Sequence, residues 1–411
     1  MRDRELYAKI LGISAPWHVT DVVLDVSAGT VEVFVEHRGE ASCPKCGKPC
    51  AGYDARRRRW RHLDTCQFQT HLTADVPRVE CAEHGVSQAA TPWAEPGSRF
   101  TALLEAVVID WLKEASFAAV ARRLGLSWDE VDGIMARAVA RGLARRDESC
   151  PARIGLDETS FQKRHEYVTV VTDLDGKRVL SVVDGRTRDA VDAHFAAIPA
   201  ESREAVEVVA MDMWRPYIDA AAKWLPKARV CFDRFHVARH LGDAANAVRK
   251  QEHKRLRAEG DGTLTGTKYL WLESPASMKP ARRTLLAQLK DLCARTGRAW
   301  ALKESASGLW DYVSIAWARK AWLAWAALAS QSRLGPMVRV ARMVRTHLEG
   351  ILNAVVLRTT NAAAESMNAR IQRIKRMACG YRNRARFRNA ILFHLGGLDL
   401  YPRPASTHTI S

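Results

Sequence analysis

Two hydrophobic periods divide the chain. Over the first hundred residues VEVFVEHR and FQTHLTADV place apolar side chains at every second position, between stretches punctuated by Cys, Pro and Gly. That period presents one face of a strand to a core, so residues 1–98 are predicted to form a small β-rich module. From Arg99 the period lengthens. Leu103, Leu104, Val107, Val108, Trp111 and Leu112 share one helical stripe and SFAAVARRLGLSWDEVDGIMARAV follows, which predicts three helices within residues 99–148.

Three β-branched runs come next, IGLDETSF, YVTVVTDL and RVLSVVDG, separated by turns such as DLDG. They predict an antiparallel meander. Helix-like DAVDAHFAAIP and RPYIDAAAKWL then alternate with strand-like VEVVAMDM and ARVCFDRF, a rhythm that requires a partly parallel sheet. Residues 149–239 are therefore expected to form a mixed sheet flanked by helices, the first part of a core. Residues 240–350 read as a separate helical insertion with a surface loop at EGDGTLTGT. Within residues 351–400 a long helix is expected from Asn361 to Met377, followed by the basic segment GYRNRARFRNAIL, and residues 401–411 read as a tail. The fold class is multidomain α/β, without internal repeats.

Composition narrows the partner. The 411 residues are 47% hydrophobic, enough for a sizeable core, and 63 Lys and Arg against 46 Asp and Glu leave a formal charge of +17. Such an excess favours a polyanion. Five of the nine cysteines lie between Cys43 and Cys81 and the rest are scattered, which fits a reducing compartment better than a disulfide framework. MRDRELYAKILGI has no signal-peptide character, and Arg319 and Lys320 interrupt the Trp-rich run WARKAWLAWAALAS, so a cytoplasmic protein with no membrane span is expected.

Within the β-rich module, Cys43 and Cys46 of SCPKCGK and the pair Cys81 and His84 of ECAEHG make four N/S ligands for a structural Zn²⁺, although Cys50 and Cys66 compete for the second pair. Between the pairs, Arg56, Arg57, Arg58, Arg59 and Trp60 are candidates for neutralising phosphates or stacking on a base, against the plainer reading of a solvated charge run. Downstream, a turn at Gly125 and a helix opened by Ser127 with Glu130 three residues on outline a helix-turn-helix. Such a unit inserts its second helix into the major groove, which makes Ser127, Trp128 and Arg137 candidate DNA contacts.

Three carboxylates carry the chemistry. Asp157 and Asp212 end apolar runs where a charge is costly unless it binds a metal or a partner, and Glu365 opens a basic helix with Asn368 one turn later. Together they are suited to two Mg²⁺ or Mn²⁺ ions about 3.5–4 Å apart that activate a water or 3′-hydroxyl for in-line displacement at phosphorus. Asp233 and His236 of CFDRFH are possible supports. Arg370, Arg373, Lys375 and Arg376 begin a basic tract suited to the phosphate backbone.

The order of GLDETSF, YVTVVTD, MDMWRPY, CFDRFHVARHL, YLWL and TTNAAAESMNARIQRIKRMACGYRN, with SCPKCG and ECAEHGV before them, closely resembles bacterial insertion-sequence DDE transposases of the ISL3 family across nearly the whole chain. The resemblance implies a ribonuclease H-like core interrupted by a helical insertion between the second Asp and the Glu. It implies a catalytic triad at Asp157, Asp212 and Glu365, and cleavage and strand transfer of double-stranded DNA at terminal inverted repeats and a target. A homodimer or higher oligomer on the DNA, associated with the bacterial nucleoid, follows from a reaction that joins two ends. The D-x2-H spacing of Asp233 and His236 is similar to one in related transposase families.

Overall fold

A computed structural model of the chain describes residues 3–147, 149–162, 166–358 and 362–403, the side chains of 362–365 excepted. It separates into two compact units, Met1–Arg146 with Leu398–Ser411, and Asp147–Gly397.

In the first unit a helix, α1 (Asp3–Ile10), precedes β1 (Trp17–Asp25), β2 (Thr30–His37), β3 (Ala51–Arg61), β4 (Gln69–Cys81) and β5 (Gly85–Gln88). These strands form one mixed sheet in the order β1-β2-β4-β3, with β5 paired to β4, and only β2 and β4 run parallel. The alternation seen in the sequence is the burial pattern. Val31, Val33 and Val35 of β2 and Leu72, Ala74 and Val76 of β4 face inward onto an edge-to-face cluster of Trp17, Trp60 and Trp93. β3 was hidden in the sequence, because a run of arginines conceals the period.

Three helices complete this unit: α2 (Ala102–Glu114), α3 (Phe117–Leu124) and α4 (Trp128–Ala144). Gly125 adopts φ +62° in the turn, and Ser127 with Glu130 closes the capping box that the sequence predicted. Leu398–Tyr401 belongs here too. Arg145 Nη1 donates to the Asp399 carboxylate and the Tyr401 carbonyl, Lys113 Nζ lies 4.5 Å from the Tyr401 ring centroid, and Leu398 packs where a Cβ on Gly142 would stand. The first residue of the expected tail is therefore anchored, while 404–411 lie outside the described residues.

In the second unit β6 (Arg153–Gln162), β7 (Glu166–Asp173) and β8 (Arg178–Asp184) form the predicted meander, followed by α5 (Arg188–Ala196), α6 (Ala200–Glu204), β9 (Val208–Met211), α7 (Arg215–Trp224) and β10 (Arg229–Phe232). The sheet order is β10-β9-β6-β7-β8. β6, β7 and β8 are antiparallel, and β9 and β10 run parallel to β6. The chain is helical thereafter: α8 (Arg234–Ala258), α9 (Lys268–Leu272), α10 (Pro280–Leu292), α11 (Ala294–Ser307), α12 (Ile315–Gln331), α13 (Gly335–Thr346), α14 (Leu348–Val356), α15 (Ala362–Met377) and α16 (Arg384–Leu395). One apolar cluster runs from Ile154, Leu156 and Met211 of the sheet to Leu241, Trp322, Met337 and Ile351 of the helices. Leu256, Leu264, Trp271, Leu286 and Leu289 make a smaller one. No described helix is long and apolar enough to cross a membrane.

Trp310 and Trp317, although seven residues apart, do not share a helical face: Trp310 lies in the 3₁₀ turn Gly308–Asp311 against Trp322, whereas Trp317 in α12 is 61% exposed, because the helix begins only at Ile315. α14 seats against β10 at Gly350, where an added Cβ would come within 2.3 Å of the Phe232 ring. Gly350→Ala is expected to lower stability by about 1–3 kcal/mol in denaturant melts, the usual result of overpacking a core, and a wild-type melt would disprove the close approach.

Candidate functional site

The strand register assembles the acidic residues. Leu156 of β6 pairs with Met211 of β9, and Met211 pairs with Phe232 of β10, all in parallel. The residues that follow are Asp157, Asp212 and Asp233, so Asp212 and Asp233, just past the ends of β9 and β10, stand in line with Asp157 midway along β6. Parallel strands about 4.8 Å apart point equivalent residues to the same face. Glu158 turns to the other face, as expected from the pleat.

Each acid is held. Asp157 Oδ1 accepts from the Glu158 amide at 2.7 Å and Oδ2 accepts from Asn368 Nδ2 of α15. Asp212 accepts from the Met213 amide, and its other oxygen lies 3.4 Å from His236 Nδ1. Asp233, 4% exposed, caps α8 by accepting from the Phe235 amide at 3.0 Å, and its Oδ2 lies 3.7 Å from His236 Nε2. His236 thus bridges two of the three aspartates. Burial pushes the Asp157 carboxyl up to about 6; the Glu158 amide and His236 oppose that rise, and the Asp233 and Asp212 charges add to it. The donor set is hard oxygen with one imidazole, and a buried carboxylate short of compensating charge is what a divalent cation would relieve.

Glu365 falls within α15, but its side chain and Asn361 lie outside the described residues. The rest of the helix is stitched to β6. Beyond Asn368, Gln372 Nε2 donates to Thr159 Oγ1 at 2.9 Å and Lys375 Nζ to the Ser160 carbonyl at 2.9 Å. These contacts recur at i, i+4 and i+7 along one stripe. Lys375 is thereby corrected: half-buried against β6, its ammonium is occupied there rather than free for phosphate. Arg370, Arg373 and Arg376 stay exposed on another face.

Cys43, Cys46, Cys81 and His84 converge, with one ligand atom from each within 4.8 Å of all the others. Cys46 Sγ lies 3.8 Å from Cys81 Sγ, and His84 Nδ1 lies 3.7 Å from Cys43 Sγ and 3.5 Å from Cys81 Sγ. A tetrahedron with Zn–S arms of about 2.3 Å and a Zn–N arm of about 2.0 Å has edges of about 3.5–3.8 Å. The four residues therefore fit zinc without rearrangement. Cys50 instead donates to the Lys48 carbonyl and Cys66 is exposed, which removes both competitors.

Two further expectations change with the geometry. Trp60, 2% exposed, sits edge-on to Trp93 inside the first core and offers no face to a base. The neighbouring arginines alternate: Arg57 pairs with Asp75 and Arg59 with Glu32, each through two nitrogens, whereas Arg56 is exposed and Arg58 reaches Gln88. Arg137 is likewise turned inward, with Nε and Nη2 on Oε1 of Glu105, a carboxylate 1% exposed that also holds Ser98 and Arg141. Ser127 and Trp128 remain exposed at the start of α4, with Trp128 stacked on Phe117.

Two measurements follow from these geometries. The purified chain should carry about one zinc; Cys81→Ser should lose it and expose residues 39–88 to hydrogen exchange, and a metal-free wild type with full protection would count against the site. With no Mg²⁺ or Mn²⁺ added, Asp157 in the native chain keeps its proton up to a pH of about 6, while the unfolded chain releases it near 3.8. Stability should therefore fall as pH rises through that window and level off above it. Asp157→Asn should remove the slope and melt higher at neutral pH, by no more than about 3 kcal/mol. Unchanged pH dependence would refute the strained carboxylate.

Comparison with known sequences identifies the family. The family model described as a transposase of the ISL3 group matches residues 154–391, that for the helix-turn-helix domain of transposase family ISL3 matches 89–139, and that for the zinc-finger of transposase IS204/IS1001/IS1096/IS1165 matches 39–84. The transposase for insertion sequence element IS1557 of Mycobacterium tuberculosis is 27% identical over 93% of both chains. That for IS1001 of Bordetella parapertussis is 27% identical over 84% of this chain and 86% of its own. Zinc finger, helix-turn-helix and sheet unit thus match models of one kind in chain order, and the chain belongs to the ISL3 family of insertion-sequence transposases.

Proposed function

We propose that the second unit is a ribonuclease H-like core with an all-α insertion, and that it cleaves and rejoins DNA strands at the inverted repeats of its own element through a triad of Asp157, Asp212 and Glu365. The observation that carries this reading is the strand register: Asp157 and Asp212 are adjacent, and the helix that bears Glu365 donates to Asp157 through Asn368, one turn further on. A meander of three antiparallel strands extended by two parallel ones supports the core assignment, and the helices α8–α14 between β10 and α15 support the insertion.

Asp157, Asp212 and Glu365 would hold the Mg²⁺ or Mn²⁺ ions. Bound there, the cations would supply the Lewis acidity that in-line displacement at phosphorus requires. The protein's own contribution is placement. Asn368 and the Glu158 amide fix both oxygens of Asp157, His236 steadies Asp212 against Asp233, and Gln372 and Lys375 set the height of α15 on β6. Arg370, Arg373 and Arg376 supply exposed charge for the phosphate backbone. In the first unit, the zinc-pinned sheet with Arg56 and Arg58, and the start of α4 at Ser127 and Trp128, are the surfaces for end recognition. Joining two ends calls for at least a dimer on double-stranded DNA, and such work belongs to the nucleoid.

Asp157→Asn, Asp212→Asn and Glu365→Gln should each lower cleavage of the DNA flanking the gene by roughly three powers of ten with Mg²⁺ present, while gel-shift affinity measured without metal stays near wild type. Cleavage that persists in any of the three removes that residue from the triad. Wild-type cutting without joined products would make the protein a nuclease rather than a strand-transferring enzyme.

A further inference from the structure

The proposed reaction leaves Trp214 unexplained. This residue follows Asp212 by two positions, stands at the N-cap of α7, and is 40% exposed, although a tryptophan is among the side chains with most apolar surface to gain from burial. Its ring is nevertheless fixed. Nε1 donates to the Arg186 carbonyl at 3.2 Å, and the Arg186 guanidinium lies 5.0 Å from the ring centroid. Arg186 is fixed in turn: Nη1 donates to both oxygens of Glu158, at 3.1 and 2.9 Å, and the guanidinium lies 4.3 Å from the Tyr167 ring. Residues from β6, β7 and the loop after β8 thus hold an open aromatic face two residues beyond Asp212.

The neighbouring strand repeats the arrangement. β10 runs into Asp233, and two residues later Phe235 is 54% exposed, with its ring 5.8 Å from that of His236. Both rings begin a helix directly after an acid at the same end of the sheet. Exposed aromatics also occur at Tyr269 and Trp317 in the helical region, but around the sheet Phe195, Tyr217 and Phe387 are fully buried. A rigid, open ring beside a phosphate-handling site is complementary to a flat π-surface on the same ligand, which a nucleobase provides. Bases inside a duplex cover each other's faces, so the ligand is an unpaired base, one turned out of the stack or left at a strand end. With Glu158 neutralising it, Arg186 serves as the backing of the ring rather than as a clamp on phosphate.

We propose that Trp214, backed by Arg186, is the stacking platform for one unpaired nucleobase next to the scissile phosphate, with Phe235 on the same rim. The proposal rests on the reading of Asp157, Asp212 and Glu365 as the strand-cleaving site.

The test uses the full chain and duplexes ending at the element boundary, with 2-aminopurine at each terminal position in turn and no divalent metal or target DNA, so that no chemistry occurs. Wild type should change the fluorescence at one terminal position only. Trp214→Ala should abolish that change and weaken binding about tenfold, the order of one base–aromatic stack. Trp214→Phe, which keeps a ring but not the indole N–H, should retain most of both. An abasic nucleotide at the responsive position should bring wild type and Trp214→Ala to equal affinity. A wild-type complex without a position-specific change, an unaltered signal in folded Trp214→Ala, or the same loss of affinity on abasic DNA would each overturn the platform. A failed triad shows separately, as wild-type protein that gives this signal yet cuts nothing when Mg²⁺ is added.

Discussion

The second unit depends on one constraint, the cost of placing carboxylates side by side across adjacent apolar strands. Parallel pairing of β6, β9 and β10 in a single register puts Asp157, Asp212 and Asp233 next to each other, and burial with mutual repulsion holds the first of them well above the usual carboxylate range. A sheet selected for stability alone would place other residues there. The surrounding contacts make the arrangement tolerable without cancelling its charge: backbone amides, Asn368 and a histidine shared by two aspartates. A site that is strained without its cation binds that cation more tightly, because occupancy relieves the strain. The polar stripe of α15 belongs to the same economy, since Asn368, Gln372 and Lys375 satisfy groups of β6 at a spacing that one helical face can reach.

The first unit solves a different problem. Its arginine run looked like a uniform cationic surface, yet the pleat of β3 divides it, and the odd-numbered members meet carboxylates on β4 and β2. Exposed pairs of this kind contribute little stability; their effect is to confine uncompensated charge to one side of the strand. Arg137 shows the same division within the helices, where a cation on α4 serves the buried Glu105 network rather than the groove.

Much of this was legible from periodicity. The meander, the alternation of β9, α7 and β10, the capping box at Ser127 and the close Cys and His pairs all rest on local pattern, which survives folding unchanged. Glu158 could be set aside from its neighbour by strand alternation alone. What sequence could not give was partnership. Trp60 and Trp214 are the same residue type, each beside an arginine, yet one is core and the other rim, because neighbours distant in the chain decide which face is covered. Lys375 and Arg373 likewise differ only in which side of a helix meets β6. β3 escaped notice because its period is carried by charge pairing rather than by hydrophobicity.

The return of Leu398–Tyr401 to the helices of the first unit carries a consequence for biosynthesis. Arg141, Arg145 and Lys113 wait for partners at Leu400, Asp399 and Tyr401, which leave the ribosome only after the entire second unit has been made. The earliest-synthesised unit is therefore the last to be completed, and its final packing is post-translational. Interrupted synthesis or loss of the chain end would leave these DNA-binding helices without their closing segment.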